Sequence, residues 1–320
     1  MNKRIRRNLS MLLLVLLLVG TLTACGAKQT FVNIGTGGTA GTYFPLGGAF
    51  AEIWNANIKG INATAQSTGA SVANVNLLKT SEVEAVIIQN DVAFYAESGT
   101  VLFNEKISTI RGAACLYSEP LQCISIDGSV KSIQDLKGKK VAVGAIGSGV
   151  EANARQIIAA AGLDFEKDIE AKFLSFAEAA TALKDKQIDA AFLVAGIPTA
   201  AITDLGTQRD VFVVPIDGTT AENLMKDYSF YTEYIIPANT YKGQAEDVKT
   251  LTVKSMLAVS SELSEDVVYN MLKSLYDNGE RVTAAHNVGK FIVKDTGLEG
   301  MSIKLHPGAE KYFKEVGIIK

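Results

Sequence analysis

The amino-acid sequence predicts an α/β protein of two lobes joined by two crossings of the chain. Three observations carry this. The chain has 320 residues, more than one compact hydrophobic core usually serves. A unit of short apolar strand, glycine-rich turn and helix occurs near residue 37 and again near residue 148. Strand–helix alternation of that kind builds parallel sheets with crossover helices. After Pro237 a strand-like stretch precedes further helical patterns, so the chain can return to the lobe in which it began.

The first residues stand outside that pattern. Lys3, Arg4, Arg6 and Arg7 precede an unbroken apolar run, Met11–Val19, and small residues then lead to Cys25. That is the layout of a secretory signal, and the run is short of the roughly 20 apolar residues that cross a bilayer. Leu22-Thr23-Ala24-Cys25 resembles the bacterial lipobox, in which the cysteine is acylated and becomes the new N-terminus. Residues 1–24 are therefore expected to be a lipoprotein signal peptide, Cys25 a lipid anchor, and 25–30 a short tether. Without residues 1–24 the chain keeps 27 Lys and Arg against 34 Asp and Glu, a net charge of −7.

The first lobe is expected to span 31–120 with 253–320, and the second 121–252. Phe31–Gly35 reads as a strand ending in Gly35-Thr36-Gly37-Gly38-Thr39-Ala40-Gly41-Thr42, and Pro45 suits the first turn of the next helix. Ile61–Gln66 is a second strand, Ser67–Ser71 leads into a helix through Val72, Val75 and Leu78, and Ala85–Gln89 is a third strand. Asn90 or Asp91 is expected to cap the helix that follows. Gly112–Tyr117 and Leu121–Ile126 read as strands on either side of Ser118-Glu119-Pro120, where the chain either reverses or crosses over. The crossover leaves Cys115 and Cys123 as buried free thiols, because eight extended steps at about 3.3 Å hold them apart.

The second series runs through a short helix at 132–138, a strand at Lys140–Gly144, a turn at Gly147-Ser148-Gly149 and a helix over Glu151–Ala161. Lys172–Leu174 and Ala190–Val194 are strands flanking a helix over 177–184. Ala195-Gly196-Ile197-Pro198 is expected to start another helix, and Val211–Pro215 is a further strand. Thr250–Val259 is strand-like, helices are expected over 264–277 and 280–294, and a last one starts near Pro307.

Composition removes many functions. Hydrophobic residues make up 48% and the net charge is −3, which excludes global disorder. Lys and Arg number 31 against 34 acidic residues, which argues against a nucleic-acid surface. Gly35-x-Gly37-x-x-Ala40 lacks the acidic residue that a dinucleotide fingerprint wants about 20 positions on, and neither glycine turn carries the Gly-Lys-Ser/Thr of a P-loop. Gly69-Ala70-Ser71-Val72-Ala73 approaches a nucleophile elbow but lacks its last glycine. Only His286 and His306 could serve as base to Ser71 or Ser148 in an exported serine hydrolase, and His306, just before Pro307, reads as a helix cap. No Cys/His/Asp/Glu spacing suggests a metal site. Tyr228, Tyr231 and Tyr234 read as packing, with one of them reaching the cleft as the alternative.

What remains is a ligand cleft. Glycines admit backbone N–H groups close to a ligand, and helix starts carry partial positive charge. Three turns, at Thr36–Thr42, Ser67–Ser71 and Ser148, add hydroxyls without any lysine or arginine. In open α/β sheets such turns at the carboxyl ends of strands are where ligands sit.

Several of these segments together match a known family. Gly35–Gly48, Ser67–Ser71, Gln89–Asp91, Gly144–Gln156, Leu174–Ala180, Ile188–Phe192, Pro237–Gln244 and Leu305–Glu310 resemble, in order, the TAXI family of TRAP transporter solute receptors. The resemblance implies a type II periplasmic-binding-protein fold that closes on a small carboxylate of the glutamate, glutamine or 2-oxoglutarate class. It further implies delivery to a TRAP-type permease driven by an ion gradient, and no catalytic activity. Carried over, Thr39, Thr42 and Tyr43 belong to the first ligand loop, Ser67 and Thr68 to the second, and Gln89 to the end of the third strand. Ser148 and Gly149 belong to the opposite lobe, with Ala195 and Pro198 at its second helix start. The family often has Gly where Ala70 stands and Thr where Val150 stands. A third expectation is a sensor domain feeding a signalling partner. The chain is expected to be exported, lipid-anchored on the outer face of the cytoplasmic membrane and monomeric, with no cofactor, metal or nucleic acid.

Overall fold

A computed structural model describes residues 29–320. The expected signal peptide, Cys25 and most of the tether lie outside the described residues. From its first strand the chain alternates as the sequence predicts: β1 (Thr30–Gly35), α1 (Tyr43–Asn57), β2 (Ile61–Gln66), α2 (Ser71–Lys79), β3 (Ala85–Gln89) and α3 (Asn90–Ser98). β1 pairs in parallel with β2 and β3. The fourth strand is different. β4 (Ile110–Ser125) is one continuous strand of 16 residues, so the chain crosses over at Ser118-Glu119-Pro120 and does not reverse. Cys115 and Cys123 lie eight positions apart on it, both buried and free.

The second series contains β5 (Lys140–Ala142), α4 (Gly149–Ala160), β6 (Glu170–Lys172), α5 (Phe176–Lys184), β7 (Ala190–Val194), α6 (Ala200–Gly206) and β8 (Phe212–Val214). Then come α7 (Gly218–Asp227), β9 (Thr232–Ile236) and the long return strand β10 (Val248–Ser260). β5 pairs in parallel with β6 and β7. Three helices close the chain: α8 (Glu265–Asp277), α9 (Gly279–Ala285) and α10 (Pro307–Glu315).

The ten strands of the described residues form one sheet of order β2-β1-β3-β10-β4-β7-β5-β6, with β8 beside β4 and β9 beside β10. β4 and β10 run antiparallel to their neighbours, so the expected parallel sheet is mixed. These two strands also change partners along their length. β4 pairs with β10 through Pro120 and with β7 from Leu121. β10 pairs with β9 through Thr252 and with β3 from Ser255.

Cores lie on either side of that change. Phe50, Trp54, Met271, Leu272 and Phe313 pack under β1 and β10, and the Trp54 indole donates to the Met271 carbonyl at 3.1 Å. Leu121, Val141, Ile157, Ile158 and Phe192 fill the other half. Each such buried side chain contributes about 1.5–3 kcal/mol.

Three expectations are corrected. Asn90 and Asp91 sit inside the first turn of α3 and not at its cap: the Asn90 amide is drawn to Gly300 and Lys254, and Asp91 accepts from the Val92 amide. The helix expected from Ala195–Pro198 begins only at Ala200. Thr199 fixes that start, its amide donating to Tyr241 Oη and its hydroxyl accepting from Gln122. The helix expected over 280–294 ends at Ala285, because His286 turns extended and its Nδ1 accepts from the Val288 amide. His306 does cap α10, accepting from the Gly308 amide at 3.1 Å.

Candidate functional site

Between the two halves of the sheet lies a cavity of about 250 Å³. That is below the roughly 300–1,000 Å³ of drug-sized sites and suits a small metabolite. The loop after β1 supplies Gly37, Gly38, Thr39, Ala40 and Gly41, and α1 supplies Tyr43. Ser67–Ser71 and Gln89 close one side; Ala145, Ser148, Gly149, Val150, Ser175–Ala177, Val194 and Ala195 close the other. Among the described residues no Lys, Arg or His lines it.

Of the residues picked out in sequence, Thr39, Tyr43, Ser67, Thr68, Gln89, Ser148, Gly149 and Ala195 line the cavity. Thr42 and Pro198 do not. Thr42 is buried beneath the loop, because it precedes α1 on the side turned to Tyr117 and Gly196. Pro198 is exposed, since the stretch before Thr199 is an open loop and not a helix start.

The hydroxyls are mostly engaged in the fold. Ser67 donates to the Gly37 carbonyl at 3.0 Å, and Thr68 donates to Thr36 and Asn74 while accepting from the Ala70 amide. These bonds tie the second turn to the first. Ser148 caps α4 by accepting from the Glu151 amide at 3.2 Å. The start of α2 is occupied as well: the Gly147 carbonyl accepts from the amides of Val72 and Ala73 at 3.1 and 3.2 Å. The α2 start is thus capped across the cleft although Ser67–Ser71 line the cavity, and the start of α5 lines it as well. Ala70 holds φ 71°, ψ −149° at the head of α2, a conformation that favours glycine and costs a side-chain-bearing residue about 1–3 kcal/mol.

The two sides also meet through a buried polar network. Gln89 Nε2 donates to Asn153 Oδ1 at 2.9 Å, and Asn153 Nδ2 donates to Asp91 at 2.8 Å and to Tyr231 Oη at 2.9 Å. Tyr231 donates to Gln156, which donates to Tyr95. Burial pushes the Asp91 carboxyl up to about 6, with the Asn153 hydrogen bond opposing the rise. Tyr231 therefore packs, as expected, but with its hydroxyl placed between the halves.

Sequence reasoning missed Glu119. It is fully buried on β4, lines the cavity, and accepts hydrogen bonds from Tyr43 Oη at 2.6 Å and Tyr117 Oη at 3.1 Å. Burial drives its carboxyl up to about 8 against those two donors. Phe176 was missed too; its ring packs against Gly41 from across the cleft. The hydrolase arrangement is not assembled: Ser71 accepts from the Gln89 amide, and both histidines cap other turns. Among the described residues no cluster of three metal-ligating side chains occurs.

Two α/β halves facing one cleft and sharing two crossing strands define the type II periplasmic-binding architecture. The chain belongs to the NMT1-like family, which matches residues 34–317. It is similar in fold to a structure from Bordetella bronchiseptica RB50, 14% identical with a TM-score of 0.52, covering 91% of this chain and 90% of that one. It is similar to the periplasmic aliphatic sulphonate binding protein SsuA from Escherichia coli, 15% identical, TM-score 0.48, covering 90% and 84%. ArgBP from T. maritima is 13% identical, TM-score 0.45, covering 75% and 87%. At these identities the likeness is one of fold alone.

Proposed function

We propose that this chain is an extracytoplasmic solute receptor of the TAXI type. It binds a small carboxylate of the glutamate, glutamine or 2-oxoglutarate class and presents it to a TRAP-type permease. One observation carries the reading: a small cavity between two halves, lined by a glycine loop and two helix starts and, among the described residues, by no cationic side chain. Helix starts hold an anion with backbone N–H groups and partial positive charge. The amides of Gly149 and Val150 find no acceptor among the described residues and lie at that cavity. In this reading 31–120 with 253–320 moves as one lobe and 121–252 as the other, with β4 and β10 as the hinge. Thr39, Tyr43, Ser67, Thr68, Gln89, Ser148, Gly149 and Ala195 form the site.

Native mass spectrometry of the purified chain from residue 25 onward tests this. A small acid is expected to travel with the protein and leave on unfolding. A protein that carries none, and gives no heat with glutamate, glutamine or 2-oxoglutarate, overturns the reading.

Export and anchoring rest on residues 1–25. Cys25→Ser should remove the acylation site and leave the protein in the soluble fraction or uncleaved at the membrane. A variant processed and acylated like the parent removes the lipobox from the account.

A further inference from the structure

The proposed carboxylate site contains a carboxylate of its own. Glu119 sits where β4 passes from one half of the sheet to the other, fully buried and lining the cavity. Tyr43 from α1 donates to one of its oxygens at 2.6 Å and Tyr117 from β4 to the other at 3.1 Å. Each oxygen keeps a second lone pair, because a carboxylate offers about four acceptor positions. The groups acting on Glu119 electrostatically are Tyr43, Tyr117 and Asp91 on α3, and none is a cation. A buried charge without a partner is costly, so the carboxyl holds a proton until a cation partners it.

Gln89 points the same way. It lines the cavity, is 2% exposed, and its Oε1 is buried without a donor. Its orientation is set by the chain of amides behind it: Asp91 and Tyr231 take the Asn153 Nδ2 donors, which leaves Asn153 Oδ1 to accept from Gln89 Nε2. Gln89 Oε1 lies against Gly149, so the side chains behind and in the wall offer acceptors, whereas the free amides of Gly149 and Val150 at the start of α4 supply donors. A ligand that is anionic throughout offers Glu119 no cation and leaves it holding its proton inside about 250 Å³. A zwitterion satisfies both ends.

We propose that Glu119 anchors a protonated amine of the ligand, so that the cleft takes an amino acid and rejects the amine-less acid of the same skeleton. This rests on the reading of the cleft as a small-acid site. The carboxylate of the ligand lies at the helix starts and its ammonium between Glu119 and the floor of the cleft. Tyr43 and Tyr117 position the Glu119 carboxylate through the hydrogen bonds they donate.

Docking an ammonium beside Glu119 favours its ionised form. Because burial, with the nearby Asp91 adding to it, holds that carboxyl up to about 8, amine binding at pH 7 should release a proton to the buffer. The test is calorimetric titration at pH 7, in two buffers of different ionisation enthalpy, of the parent and Glu119→Gln. The probes are glutamate and glutamine against 2-oxoglutarate and glutarate. The parent should bind an amino form at least tenfold more tightly than its amine-less counterpart, with net proton release; Glu119→Gln should lose both the preference and the release. The proton count is read on the parent, so it stands even if the variant folds poorly. Equal or tighter binding of 2-oxoglutarate or glutarate overturns the inference while the receptor reading survives, with a protonated Glu119 donating to the acid instead. Amino-acid binding without proton release also overturns it. Heat from none of the four probes overturns the proposed ligand class, and this inference with it.

Discussion

Gly149→Ala is expected to abolish tight ligand binding while leaving the ligand-free chain folded. A Cβ at this position would stand 1.4 Å from Gln89 Oε1, 2.6 Å from its Cδ and 3.1 Å from Val92 Cγ2. Side-chain ends often step aside, but this one is buried and tethered to Asn153 by a 2.9 Å hydrogen bond. Asn153 is itself held by Asp91 and Tyr231. Moving Gln89 therefore breaks the network that joins the halves and leaves polar groups unpaired, at about 1–3 kcal/mol each. Opened, the halves feel no clash, and alanine suits the first turn of α4 better than glycine does. Titration with glutamate or glutamine should show affinity reduced by about a hundredfold or more, which is roughly 2.7 kcal/mol. The thermal midpoint of the ligand-free variant should stay close to the parent's. Affinity at the parent's level would mean that Gln89 yields freely and that closure does not depend on this contact.

That contact also shows what the sequence could and could not convey. The strands β1, β2, β3 and β7 were legible because each is a short apolar run bounded by glycine or polar turns. The glycine loop at 35–42 and the turn at 147–149 were legible because glycine marks close backbone approach. The uses of the hydroxyls were not. Ser67, Thr68 and Ser148 look alike in sequence, yet the first two tie loops together and the third caps a helix. Only tertiary context decides which acceptor a hydroxyl finds.

Glu119 was hidden for a sharper reason. An acidic residue beside a proline reads as a solvated turn, and here the apolar runs on either side belong to a single crossing strand. Its signal was the sheer length of apolar sequence around it, from Gly112 to Ile126, with one charge inside. Asn153 and Gln156 carried a fainter signal: two amides three residues apart on the buried side of α4. β9 left no trace, since it depends on its pairing with β10, and the break at His286 is a local turn in which His286 Nδ1 accepts from the Val288 amide and Gly289 packs against Val282 and Thr283.

The buried carboxylates should make the ligand-free chain less stable as pH rises. Glu119 is pushed up from its ordinary 4.5 to about 8, and Asp91 from 3.8 to about 6, both chiefly by burial. In each case the folded chain holds its proton over a range where the unfolded chain has lost it. Stability is therefore fully present below the unfolded value and is lost as pH climbs through the folded one. Asp91 gives up its share by about pH 6 and Glu119 by about pH 8. Every tenfold gain in proton affinity on folding is worth about 1.4 kcal/mol, so Glu119 contributes a few kcal/mol. His286 and His306, lowered by burial, act in the opposite sense, but only below their ordinary value of about 6.5. Between pH 6.5 and 8.5 the slope should belong to Glu119. Urea unfolding across that window should show the parent's stability falling and Glu119→Gln nearly level, while Asp91→Asn keeps the parent's slope. A parent whose stability is flat or rising over the same window would mean that Glu119 is ionised in the empty cleft, with water reaching it there. Its two tyrosine donors would then outweigh burial, and the carboxylate would be charged before any ligand arrives.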